Sequence, residues 1–297
     1  VNKLLKIYSV LTSFGMLLVL LMGAIVTKTG SGEGCGNSWP LCYGQVLPTA
    51  PELETIIEYS HRVVSAALGF MVIILAIWTW KKIGRVRETK FLAFMSVFLI
   101  VFQGLLGAAA VVWGQSDTVL AAHFGISLAS FASVVLLTVL VFEHSRMPEG
   151  YVPSIPKRIR VQIYLLTTYV YVVVYTGALV RHTGSSMACS TWPLCNGYLI
   201  PPLSGQVAVQ FFHRVAAAIA FLWLLSLVIQ ALKIFKEEKV VYWSFIISFL
   251  LILSQVTTGA LIIITELNMF IALAHGLFIA GLFTVLTYLI MLSLRNK

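Results

Sequence analysis

The sequence predicts an all-α polytopic membrane protein, with eight transmembrane helices arranged as two pseudo-two-fold-related four-helix bundles. Three observations carry this. Of the 297 residues, 59% are hydrophobic and only 10% charged, a balance that excludes a soluble globular domain. Eight apolar stretches are each long enough to cross a bilayer, which takes about 20 helical residues. The second half of the chain also repeats the first.

The stretches run over Ile7–Thr27, His61–Trp80, Phe91–Val112, Thr118–Phe142, Val161–Val180, His213–Leu232, Val240–Thr265 and Met269–Leu294. The first follows Lys3 and Lys6 as a signal peptide would. It is longer than a typical signal core and has a counterpart in the fifth, so it is expected to be retained. Orientation follows from Lys and Arg. The N-terminus, the second–third, fourth–fifth and sixth–seventh connections and the C-terminus hold 16 of the 20 basic residues. The positive-inside rule places these in the cytoplasm, with both termini. The net charge of +9 is thus a topology signal, and no nucleic acid partner is expected. Lys28, Arg62, Arg181 and Arg214 fall on the other, extracytoplasmic side with all four cysteines.

The repeat is read from matched segments. Gly23-Ala-Ile-Val-Thr-Lys-Thr-Gly30 pairs with Gly177-Ala-Leu-Val-Arg-His-Thr-Gly184, Trp39-Pro-Leu-Cys42 with Trp192-Pro-Leu-Cys195, and His61-Arg62-Val63 with His213-Arg214-Val215. Gln103 and Gly107 pair with Gln255 and Gly259. An even number of helices per copy gives both copies the same orientation, and hence an axis along the membrane normal. The division is 1–146, a cytoplasmic linker at 147–160, and 161–297.

Chemistry centres on His61, His123, His213 and His275. The steps from His61 to His213 and from His123 to His275 are both 152 residues. Each half therefore has one histidine near the same end of its second and fourth helices. An ionisable side chain in the bilayer costs about 2.5–3.5 kcal/mol on insertion scales unless paired, solvated or bound. Axial ligation of haem iron accounts for two matched pairs. Hydrogen-bonded packing or a proton relay is the alternative. Gly104, Gly107, Ala108, Gly259 and Ala260 either admit a flat macrocycle or let helices pack closely. His144 and His182 have no histidine counterpart. His144 is expected in a solvated cytoplasmic loop, and His182 at a helix end as a surface or anion-contacting group.

Glu58 precedes His61 by three residues and shares its helical face; its counterpart is Gln210. A carboxylate beside a reacting group can move protons or stabilise positive charge, which an amide cannot. The first half is therefore expected to do chemistry and the second to hold a cofactor. A solvated interfacial carboxylate is the other reading. Cys35 with Cys42 and Cys189 with Cys195 form two close pairs, outside the Cys-x-x-Cys redox spacing. Disulfides bracing the loops are the simplest reading; zinc or a redox role are the others. Arg62, Arg214, Lys28 and Arg181 suit haem propionates or ordinary interfacial anchoring.

Glu58-Tyr-Ser-His61-Arg62, the paired Trp-Pro-Leu-Cys loops and four histidines on two four-helix repeats resemble the bacterial haem A synthase family. The resemblance covers nearly the whole chain. It implies oxidation of the C8 methyl of haem O to a formyl group, giving haem A for terminal oxidases. It implies that His61 and His123 bind substrate haem O and that His213 and His275 ligate a haem b cofactor. Glu58 would be the catalytic acid–base or cation-stabilising group, and Cys35–Cys42 a disulfide of redox or structural role. Cys189–Cys195 is a second pair that not every member carries. Haem O synthase and a membrane electron acceptor, a quinone among the candidates, are the implied partners. The competing readings are a di-haem b-type electron carrier (a quinol oxidoreductase), a thiol oxidase and a transporter.

Overall fold

The computed structural model describes residues 2–114, 116–146 and 151–295. Eight α-helices follow in order: α1 Lys3–Lys28, α2 Leu53–Ile83, α3 Thr89–Val112, α4 Asp117–Arg146, α5 Lys157–His182, α6 Gly205–Ile234, α7 Lys239–Ile264 and α8 Met269–Arg295. All eight are long and apolar enough to cross a membrane. Among the described residues there is no strand beyond single bridges, Cys42 to Gln45 and Cys195 to Tyr198.

Every apolar stretch is a helix, and most helices run past it. Hydropathy marks only the part within hydrocarbon, whereas intrahelical hydrogen bonding continues into the interface. The difference is largest in α2 and α6, which start at Leu53 and Gly205 rather than at the histidines. Their first two turns rest on the loops before them. α5 starts at Lys157, immediately after Pro156, whose fixed φ prepares a helix start. Arg158 and Arg160, expected in the linker, thus lie in α5. Met147–Gly150 of that linker and the terminal Lys297 are outside the described residues. His144 also departs from expectation. It lies in the last turn of α4, half-buried with Nδ1 enclosed, because the helix continues to Arg146.

The chain divides into two compact units, Val1–Tyr151 and Val152–Lys297. In the first, α1 packs on α2 and α4, and α3 packs on the same two, closing a ring in which α2 and α4 are diagonal. Leu68, Val72, Leu75, Leu128, Leu137 and Leu140 fill its core. Ser13 and Thr138 share a 2.8 Å hydroxyl bond between α1 and α4, the kind of polar link that supplements packing in lipid. The second unit closes the same way, with α6 and α8 diagonal. Leu166, Leu224, Leu227, Leu282 and Leu286 fill its core.

Each unit opens with the same helix stop. Thr29 and Thr183 cap α1 and α5, and Gly30 and Gly184 follow at φ +71° and +66°, where a side chain would strain the backbone. A 3₁₀ turn, Ser31–Glu33 or Ser185–Met187, then leads into the cysteine loop.

Candidate functional site

The cysteines form two disulfides, Cys35–Cys42 and Cys189–Cys195. Each loop is tied to the following helix by one side chain at the paired positions 58 and 210. Glu58 is 3% exposed and accepts the Cys35 N–H at 2.8 Å. Gln210 is 4% exposed and accepts the Cys189 N–H. The second atoms of these groups part company. The other oxygen of Glu58 forms an ion pair with Arg62, whereas Nε2 of Gln210 donates to the Ser186 carbonyl at 2.8 Å.

The following arginines clamp the same loops. Arg62 donates to the carbonyls of Ser38 at 2.7 Å and Leu41 at 3.1 Å. Arg214 donates to Thr191 and Cys189, both at 2.8 Å, and to Leu194 at 3.4 Å. With no carboxylate beside it, Arg214 turns to a third carbonyl where Arg62 turns to Glu58. Lys28 and His182 are the last residues of α1 and α5, and Arg181 is half-buried beside His182.

The four histidines lie just below these loops, eight residues into α2 and α6 and six into α4 and α8. Each ring rests edge-on against a glycine of the preceding helix. A methyl group on Gly23, Gly107, Gly177 or Gly259 would come within 3.2, 3.4, 3.0 or 3.3 Å of the Cε1 of His61, His123, His213 or His275. Gly107 and Gly259, read from sequence as room for a macrocycle or for helix packing, are thus seats for imidazoles. Gly104 faces open space. Gly23 and Gly177 do the same work and were legible only as part of the repeat.

Hydrogen bonding separates the two pairs. His213 Nδ1 meets Thr176 Oγ1 at 2.8 Å, and His275 Nδ1 meets Thr258 Oγ1 at 3.0 Å. Gln255 Nε2 lies 2.9 Å from His275 Nε2. The Nδ1 atoms of His61 and His123 are buried with no hydrogen-bond partner. The Gln103 main-chain carbonyl interacts with the His123 ring as a hydrogen-bond acceptor, though not closely enough to count as a bond to Nδ1, and no side chain reaches that atom. His61 and His123 are close enough to act on each other electrostatically.

This donor set fits a haem better than a bare ion. Among the described residues no group of three or more His, Cys, Asp or Glu is placed to hold a metal. Two imidazoles from diagonal helices could hold the iron of a porphyrin, which would bring its own four nitrogens. The histidine ends of α4 and α8 are also their less tightly packed parts. Val119–Phe124 of α4 and Ile271–Ile279 of α8 are half-buried throughout, whereas Gly125–Val141 of α4 is mostly buried. Polar histidine ends that pack less tightly than their own helices suit a flat ligand.

Eight membrane helices with two half-buried imidazoles at one end of each four-helix unit fit a class of haem-handling membrane proteins. Residues 6–287 match the family model described as cytochrome oxidase assembly protein, COX15-CtaA, and the chain belongs to that family. The "Heme A synthase" of Geobacillus kaustophilus is 52% identical over 100% of this chain and 93% of its own length. That of Alkalihalophilus pseudofirmus is 50% identical over 99% of both chains. That of Halalkalibacterium halodurans is 50% identical over 100% of this chain and 99% of its own. The chain is therefore an enzyme of haem A biosynthesis.

Proposed function

We propose that the two units divide the oxidation of haem O to haem A between them. His61 and His123 hold haem O as substrate in the first, and His213 and His275 hold a resident haem b in the second. The observation that carries this is the pairing of imidazoles on diagonal helices in both units, with a buried carboxylate in only one. Bound haem b supplies one-electron transfer. The protein does the rest. The glycine seats set the height of each ring, and the apolar bundle excludes water. Lys28 and Arg62 in the first unit, and Arg181 and Arg214 in the second, are the cationic side chains at the histidine end, and their chemistry suits propionates.

Converting the C8 methyl to a formyl group by successive hydroxylations with water as the oxygen source, followed by loss of water, releases both protons and electrons at the substrate carbon. Glu58, among the described residues the one buried carboxylate, is the proton acceptor on the substrate side. Its ion pair with Arg62 and its bond to Cys35 fix it one turn of α2 from His61. Electrons leave to a membrane acceptor of the quinone type, and a haem O synthase delivers the substrate. By the positive-inside rule the disulfide loops and histidines lie at the extracytoplasmic face of the bacterial cell membrane, with both termini in the cytoplasm.

The test is pigment extraction from the purified protein, followed by identification of each haem. Haem b together with haem O or haem A is expected. A folded, active preparation without iron would overturn the reading. An undiminished yield of haem A from Glu58→Gln would remove Glu58 from it.

A further inference from the structure

Thr176 and Thr258 each precede one of the seating glycines, Gly177 and Gly259. The equivalent positions before Gly23 and Gly107 are Met22 and Leu106. In the first unit neither residue can bond an imidazole, and both Nδ1 atoms there lack partners.

The threonines also settle which nitrogen carries the proton. Thr176 Oγ1 donates its hydrogen to the Val173 carbonyl at 2.7 Å, and Thr258 Oγ1 donates to the Ser254 carbonyl at 2.8 Å. A hydroxyl has one hydrogen, so toward the ring each oxygen can only accept. Nδ1 of His213 and of His275 must therefore be the N–H, and Nε2 must carry the lone pair. For His275 a second contact agrees. The Gln255 amide nitrogen can only donate, and it faces Nε2. For Nε2 to bind iron this amide would have to withdraw, while the threonine bond to Nδ1 could remain. A hydrogen bond of this kind fixes tautomer and ring orientation and makes the imidazole a stronger donor.

We propose that Thr176 and Thr258 are positioning residues that lock His213 and His275 as retentive haem ligands, while Met22 and Leu106 leave His61 and His123 as releasing ones. The inference rests on the assignment of the four histidines as haem ligands and explains what that assignment does not. A substrate must enter and a product must leave, whereas a cofactor must stay. The same imidazole on the same glycine seat serves both ends through one neighbouring side chain.

The experiment uses full-length, haem-loaded protein in detergent. Transfer of haem b to excess apomyoglobin and the haem b midpoint potential are measured for Thr176→Val, Thr258→Val and the matching Thr→Ser variants. Valine keeps the β-branched shape and removes only the hydroxyl. Each Thr→Val is expected to speed haem b loss about tenfold or more, the scale of outer-shell partners to metal ligands. It should also raise the potential, because a weaker imidazole donor stabilises ferric iron less. Serine should restore both. Conversely, Leu106→Thr should slow release of haem O or haem A. Unchanged transfer and potential in both valine variants would overturn the proposal. His213→Ala and His275→Ala separate the two levels. If they retain haem b, the ligand assignment itself fails; if they lose it while the valine variants behave as wild type, only the threonine role fails.

Discussion

The two units share one scaffold, and around the histidines they differ in one carboxylate and in the partners of the imidazoles; under the proposed function those differences assign the jobs. Both have a disulfide loop held by residue 58 or 210, an arginine clamp and two imidazoles on glycine seats. The first has a carboxylate, Glu58, and imidazoles without Nδ1 partners. The second has an amide, Gln210, and imidazoles hydrogen-bonded to threonines. If the proposed division holds, function in this duplicated fold is set by the residues beside the histidines rather than by the histidines themselves. The comparison also tempers the reading of Glu58. Because Gln210 makes the same bond to its own loop, part of what Glu58 does is structural, and only its charge is particular to the first unit.

The comparison breaks most visibly at the ligands. His213→Ala or His275→Ala is expected to abolish bound haem b, seen as loss of its absorbance in the purified protein. His61→Ala or His123→Ala should leave that absorbance and remove bound haem O and haem A. If all four variants lost the same pigment, the division between units would fall. The next largest effect is at position 58. Glu58→Gln copies the second unit and keeps the Cys35 tether, since an amide oxygen also accepts. Haem A formation should drop about 10²–10⁴-fold, the usual range for a lost acid–base group, with haem b content unchanged. Glu58→Ala should add a loss of about 1–3 kcal/mol in stability, because it leaves the buried Cys35 N–H unsatisfied.

A smaller contrast lies in the loops. A methyl group on Gly34 would sit 2.5 Å from the main chain of Glu54, so Gly34→Ala should cost about 1–3 kcal/mol. The second loop already has Ala188 at the matching place, and Ala188→Gly should cost less than about 1 kcal/mol. Melting of the detergent-solubilised variants reads both.

Much of this was legible in the sequence, for physical reasons that also mark where legibility stopped. The bilayer imposes length and hydropathy, so all eight helices and the histidine pairs could be read directly. Helix starts at Leu53 and Gly205 were missed because a helix leaving the hydrocarbon keeps its hydrogen bonds after it loses its apolarity. The end of α4 was missed likewise, and His144 with it. Glu58 stood out by its charge, but its bond to Cys35 depends on a fold-back of the loop that no local pattern encodes. The glycine seats and the threonine bonds are contacts between helices. Their one signal was the alignment of Thr-Gly in the second half with Met-Gly and Leu-Gly in the first, visible only when the repeat is compared position by position.

The disulfides offer the finest test, because there the two units are expected to agree. Cys35–Cys42 closes a separation of seven residues and Cys189–Cys195 one of six. Chain entropy assigns about 2 kcal/mol to each, and the difference between them is a small fraction of that. Both loops are anchored by the same tether and clamp. Replacing either cysteine pair by serine should therefore lower stability by nearly equal amounts. If the disulfides only brace the loops, haem A formation per folded molecule should fall equally little in the two variants. A much larger fall for Cys35→Ser/Cys42→Ser, at equal stability and equal haem b content, would mean that the first disulfide enters the chemistry. Its place supports such an outcome, since Glu58 bonds directly to the Cys35 N–H and Gln210 cannot pass on a charge. Equal responses would confine the functional difference between the units to the carboxylate and the partners of the imidazoles.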